Sequence, residues 1–141
     1  AVVMGHEIAH VLARHGNERM TQGMITQFGS VALSYALKEQ PERTSQLLMT
    51  SYGAASSVGV MLPFSRMHES EADRIGLTLM AIAGYDPRES VAFWQRMDAL
   101  SAGGKRPPQM LSTHPSPDKR AIKLNEYMPE ALAIYNSSKR K

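Results

Sequence analysis

The sequence predicts a mainly α-helical chain, and three observations predict it. An H-E-x-x-H pattern, His6-Glu7-Ile8-Ala9-His10, lies in an apolar, proline-free run at the start. Further along, apolar residues recur at helical spacing in stretches bounded by Pro and Gly. No convincing strand and no internal repeat is found.

The first helix is expected over Val2 to His15, with Gly16 as its C-terminal stop. Its apolar residues, among them Val2, Val3, Ile8, Ala9, Val11, Leu12 and Ala13, make it read as a buried helix whose polar groups need partners. Residues four apart share a helix face with Cβ atoms roughly 6 Å apart. His6 and His10 are therefore candidate ligands of one zinc ion, each through a ring nitrogen. Glu7 is the general-base candidate, placed to take a proton from zinc-bound water. The plain alternative is a histidine pair that only packs. His15, five positions after His10, reads as a helix-end residue favoured electrostatically at a C-terminus.

Met20 to Leu37 is mildly helical, and Gln40-Pro41-Glu42 breaks it. A second pattern runs from Thr44 to about Leu62 with small residues at its centre, so that the two make a helical hairpin or a mobile lid over residues 20–64. The first is too polar for a membrane span. The second reaches the lower length limit but carries many Ser and Thr. Pro63 precedes a strong helix, Ser65 to Ala83, whose expected apolar face is Ala72, Ile75, Leu79 and Ile82. Gly76, costly in mid-helix by about 1 kcal/mol, implies a packing role, and Gly84 suits the position after the helix end. Asp86-Pro87-Arg88-Glu89 reads as a capping box opening a helix with Val91, Trp94 and Met97 inward. A Gly- and Pro-rich loop, Ser101 to Pro117, follows. A short helix through Asn125 and a last one from Pro129 to Tyr135 complete the expectation.

The length of 141 residues suits one domain with one core. The net charge of +3 is carried entirely by Lys139, Arg140 and Lys141. No basic stripe with interleaved aromatics appears, so no nucleic-acid partner is expected. The absence of cysteine excludes disulfides, a thiolate metal site and a cysteine nucleophile. The chain starts without methionine inside its first helix, so it is expected to be N-terminally truncated, with any leader or membrane anchor upstream.

Two histidines leave a catalytic zinc short of a third protein ligand. The helix after Pro63 offers Glu69 and Asp73, four apart and able to face the first helix together. One carboxylate would bind metal while the other orients a ligating histidine. A solvated face, with Arg66 and Arg74 as ion-pair partners, fits the spacing equally well.

The run H-E-I-A-H-V-L-A-R-H-G, then S-R-x-x-E-x-E-A-D, then A-G-Y-D-P, then S-T-H-P-S-P-D-K-R resembles a family of zinc-dependent gluzincins. This is peptidase family M forty-eight, which includes the CAAX prenyl protease, the heat-shock protease HtpX and the mitochondrial inner-membrane overlapping-activity protease. The soluble bacterial members of the mitochondrial type are nearest. The four motifs keep their order and span most of the chain. The resemblance implies a zincin-like α+β fold, of which this chain would hold the helical part, with the upstream strands absent. It implies His6, His10 and Glu69 as zinc ligands, Glu7 as catalytic base, and Asp73 as the carboxylate behind the ligands. His114 falls in the family's His-Pro element near the active site, where it would stabilise the developing oxyanion. Arg66 and Arg120 match positions that brace the site, although surface ion pairs serve equally well for both. Glu71 and His68 read as structural.

The expected function is zinc-dependent hydrolysis of peptide bonds in a peptide or misfolded protein substrate, one zinc per chain. The family implies quality control in a bacterial periplasm or cell envelope, with membrane association through an upstream segment. The alternative is a zinc-bound but inactive binding or scaffold module, against which the intact Glu7 argues. A helical interaction domain with a chance motif is the second rival.

Overall fold

A computed structural model describes residues 1–102 and 117–138. They fold into six α-helices: α1 (Val2–Leu12), α2 (His15–Ala36), α3 (Glu42–Ser56), α4 (Leu62–Ile82), α5 (Arg88–Ala102) and α6 (Pro117–Ser138). No strand occurs among the described residues. The mainly helical expectation holds.

The helix boundaries depart from expectation at three places, each for a local reason. α1 stops at Leu12 rather than His15, because Arg14, not Gly16, takes the left-handed conformation with φ 57°. That conformation costs a non-glycine residue about 1–2 kcal/mol and ends a helix. His15 therefore opens α2, where it is buried, instead of closing α1. Pro63 does not begin a new helix. A π-helical turn, Ser57–Met61, joins α3 to α4, and the helix runs on from Glu42 to Ile82. Proline lacks an N–H and crowds the carbonyl four residues back, and the wider π turn just before Pro63 relieves both problems. Pro129 likewise lies inside α6 rather than at the start of a separate helix. It is exposed, while Leu124, Ala131 and Tyr135 on either side are buried. Packing of these residues holds one helix across the missing hydrogen bond.

Contacts divide the chain into two units, Ala1–Ala13 with His68–Lys141, and Arg14–Met67. In the first, Leu77, Ala81, Trp94, Met97, Leu124, Ala131 and Tyr135 from α4, α5 and α6 form the core. The expected inward residues of α5 are found there, with Val91 partly buried beside Trp94 and Met97. Asp86 caps α5 by accepting the Arg88 backbone N–H at 3.0 Å. Gly84 closes α4 at φ 80°. The face of α4 differs from expectation. Its buried residues are His68, Glu69, Ala72, Asp73, Gly76, Leu77, Met80 and Ala81, whereas Ile82 is exposed. Of the expected Ala72, Ile75, Leu79 and Ile82, only Ala72 is fully buried. The fold instead turns the carboxylates inward, where a histidine pair and an arginine meet them. α1 is also less buried than its composition implies, with only Gly5, His6 and Ala9 fully covered.

Gly5 and Gly76 bring α1 against α4. A Cβ on Gly5 would lie 2.9 Å from the Gly76 carbonyl oxygen, and one on Gly76 would lie 2.9 Å from the His6 backbone nitrogen. The packing role expected of Gly76 is this backbone contact. It puts the turn holding His6 directly over the turn holding Asp73.

The second unit is a helical hairpin. α2 and α3 are joined through Pro41, where α3 begins as the sequence break suggests. Tyr52 lies against Gly29 and donates its hydroxyl hydrogen to the Thr26 carbonyl at 2.9 Å.

A candidate metal centre between two helices

His6 and His10 stand one turn apart on α1, and Glu69 faces them from α4. The His6 Nε2 and His10 Nε2 atoms are 3.0 Å apart. Glu69 completes the group, with Oε2 3.3 Å from His6 Nε2 and Oε1 3.3 Å from His10 Nε2. Bonds of 2.0–2.1 Å from a tetrahedral zinc to nitrogen or oxygen require donor–donor edges of about 3.3 Å. The His6–His10 separation and the distance from each histidine to the Glu69 oxygen facing it are on that scale, with Oε2 turned to His6 and Oε1 to His10. Two imidazoles and a carboxylate are also the donor set of a catalytic zinc with one position left open. Among the described residues, His6, His10 and Glu69 are the group of His and carboxylate side chains that brings one ligand atom each within 4.8 Å of the others.

Behind the ligands lies a buried layer. His6 Nδ1 is 3.0 Å from Asp73 Oδ1. Donation of the Nδ1 proton to Asp73 leaves the Nε2 lone pair facing His10 and Glu69, the tautomer a metal ligand needs. Asp73 is held in turn by Arg120 of α6, whose Nε donates at 2.8 Å to Oδ2 and whose Nη2 donates to Oδ1. The guanidinium stacks 3.6 Å above the Trp94 ring centre, and Nη1 reaches to 3.6 Å from Glu69 Oε2. All of these groups are almost completely buried. The two carboxylates, Glu69 and Asp73, set against the one guanidinium of Arg120, leave one excess negative charge out of water, which a divalent cation offsets.

Burial is the largest influence on His6 and opposes its protonation. Hydrogen bonds to Asp73, and then to Glu69, outweigh it, so the imidazole holds its proton more tightly than an ordinary histidine. The carboxylates facing His6 thus favour its cationic form.

The other candidate residues fall in different places. Glu7 lies on the exposed side of α1, next to a ligand candidate but open to an incoming molecule. Arg66 and Glu71 are exposed, and His68 is buried. Of the two arginines proposed as braces, only Arg120 is built into the buried layer. His114 lies outside the described residues. Sequence reasoning took Trp94 for an ordinary core residue. Its pairing with Arg120 has no local signature, since 26 positions separate them in the chain.

The profile of Peptidase family M48 matches residues 1–128. The Mitochondrial metalloendopeptidase OMA1 of Schizosaccharomyces pombe is 39% identical over 133 residues, covering 93% of this chain and 36% of that protein. The human Metalloendopeptidase OMA1, mitochondrial, is 36% identical over 94% of this chain and 26% of its own length. The Beta-barrel assembly-enhancing protease of Escherichia coli is 32% identical over 85% of this chain and 25% of its own length. The chain thus spans between a quarter and two-fifths of the curated relatives it matches. No solved structure matches it. With the four motifs in order and the profile covering nearly the whole length, the chain belongs to peptidase family M48.

Proposed function

We propose that this chain carries the catalytic centre of a zinc metalloendopeptidase, with His6, His10 and Glu69 as the metal ligands. The observation that carries the reading is the grouping of His6, His10 and Glu69, which bring one ligand atom each within 4.8 Å of one another and have the composition of a three-ligand zinc site. Family membership and the names of the relatives support it. A zinc ion bound there would polarise a peptide carbonyl and acidify water. Glu7, exposed beside His6, accepts a proton from the attacking water and returns it to the departing amine nitrogen. Asp73 keeps His6 in its donor tautomer, and Arg120 keeps Asp73 charged and in place. His114 is proposed to donate to the developing oxyanion. The helices are proposed to be the helical part of a zincin-like catalytic domain spanning 1–141. The substrate is proposed to be a peptide or misfolded protein of a cell envelope.

The test separates binding from cleavage. Glu7→Gln is expected to keep one zinc per chain and to lose hydrolysis of an unstructured protein substrate, because the amide is nearly isosteric yet cannot act as a base. Unchanged turnover removes Glu7 from the mechanism. A wild-type protein that binds zinc but cleaves nothing favours the scaffold alternative.

A further inference from the structure

The hairpin of α2 and α3 is built inside out. Most of its large apolar side chains are exposed. On α2, Met24, Ile25, Phe28, Val31 and Tyr35 are exposed, Phe28 to 72% and Tyr35 to 80%. On α3 and the turn that follows, Leu47, Leu48, Val58 and Val60 are exposed. The half-buried positions are mostly small or polar, among them Thr26, Gly29, Ser30, Ser45, Tyr52 and Ser56, with Leu33, Leu37 and Met49 as the apolar exceptions. A water-soluble pair of helices places these two classes of residue the other way round. Small residues at the contact, with a hydrogen bond across it and apolar groups outside, are the arrangement of helices packed in lipid.

Charge follows the same plan. Residues 20–37 and 44–65 contain no Asp, Glu, Lys, Arg or His. At a rise of 1.5 Å per residue these stretches measure about 27 and 33 Å, close to the hydrocarbon thickness of a bilayer. Charges resume immediately at each end, with Glu18 and Arg19 before, Lys38, Glu39, Glu42 and Arg43 at the turn, and Arg66 after. An uncharged band between two charged rims is complementary to a hydrocarbon slab between polar headgroups. The most apolar 18-residue window of the continuous helix Glu42–Ile82 has none of its residues buried.

Part of the Ser and Thr content, which on sequence argues against lipid, is answered within the hairpin. Thr21, Thr26 and Ser51 donate to the carbonyls four residues back at 2.8–3.0 Å, and Ser45 donates to the Leu37 carbonyl at 3.1 Å. Hydroxyls satisfied in this way enter hydrocarbon without an orphaned donor. We propose that the α2–α3 hairpin is a lipid-contacting element, with its outward apolar face embedded in the hydrocarbon of a bilayer. This stands apart from the metal-centre reading and does not depend on it.

The lack of cysteine makes the test direct. Phe28→Cys, Val58→Cys and, as a control, Glu126→Cys each give one labelling site, and all three positions are exposed. The labelled chain is reconstituted from detergent into phosphatidylcholine–phosphatidylglycerol vesicles. Fluorophores at 28 and 58 are expected to be quenched by lipids brominated on the acyl chain and shielded from aqueous iodide, with the reverse at 126. Labels at 28 and 58 that stay open to iodide overturn the proposal. So does shielding without lipid accompanied by a doubled mass in light scattering, which would mean that a second copy covers the face. In unlabelled protein, Phe28→Lys and Val58→Lys are expected to weaken vesicle partitioning by about tenfold or more, with helicity unchanged. Equal partitioning of these variants and the wild type also overturns it.

Discussion

Gly5 and Gly76 touch backbone to backbone, with 2.9 Å between the position of a Cβ on either residue and the nearest main-chain atom of the other helix. No side chain can yield there, so the distance between α1 and α4 is set by two missing methyl groups. That distance also sets how far His6 and His10 stand from Glu69.

Gly76→Ala is therefore expected to destabilise the protein and weaken zinc binding together. Alanine gains about 1 kcal/mol in helix propensity, but overpacking against backbone costs about 1–3 kcal/mol. Gly53→Ala is the control, since an added Cβ there meets nothing within 4 Å. It should be neutral or stabilising. Thermal unfolding and a zinc competition titration on both variants check this, and matching behaviour would show that the helix contact does not control the site.

Zinc retention should require all three ligands. His10→Ala and Glu69→Ala each leave two donors, too few for an open catalytic site. Metal analysis after dialysis is expected to show the loss, and full retention in either variant would remove that residue from the ligand set.

Asp73→Asn should lower zinc affinity by about 10- to 100-fold, the scale for losing the partner that orients a ligating histidine. Arg120→Lys should act in the same direction, because an ammonium cannot grip both carboxylate oxygens of Asp73. The two changes break one linked pair, so the double variant should cost less than the sum. Strict additivity in the competition titration would mean that Arg120 and Asp73 act separately.

The metal-free protein should respond to pH through His6. Its affinity for a proton is raised by the fold above the ordinary 6.5. The stability this contributes is fully present below 6.5 and is lost as pH rises through the folded value. The Tm difference between wild type and His6→Gln in chelator should shrink as pH goes from about 5.5 to 8. Zinc affinity should move the other way and weaken as pH falls, because the proton and the metal compete for the same imidazole. A Tm difference that grows with pH would contradict the assigned partners of His6.

The sequence by itself determined whatever depends on near neighbours in the chain. His6 and His10 are four apart, so any helix there puts them on one face. Pro41, Gly84 and Asp86 act on their own turns, and the breaks they mark are in the structure. The tertiary structure decided what depends on distant partners. Glu69 and Asp73 read equally well as a solvated face until α1 packed against them through Gly5 and Gly76. Arg120 read as brace or surface ion pair until α6 carried it against the Trp94 ring and onto Asp73. Pro63 and Pro129 read as marking the starts of new helices, because the sequence does not show the π turn that accommodates one or the flanking packing that carries the helix past the other. The outward face of the hairpin was invisible for the same reason. Periodicity shows that apolar residues share a side of a helix, but only the packed pair shows that mostly small and polar residues are covered while most of the large apolar ones are exposed.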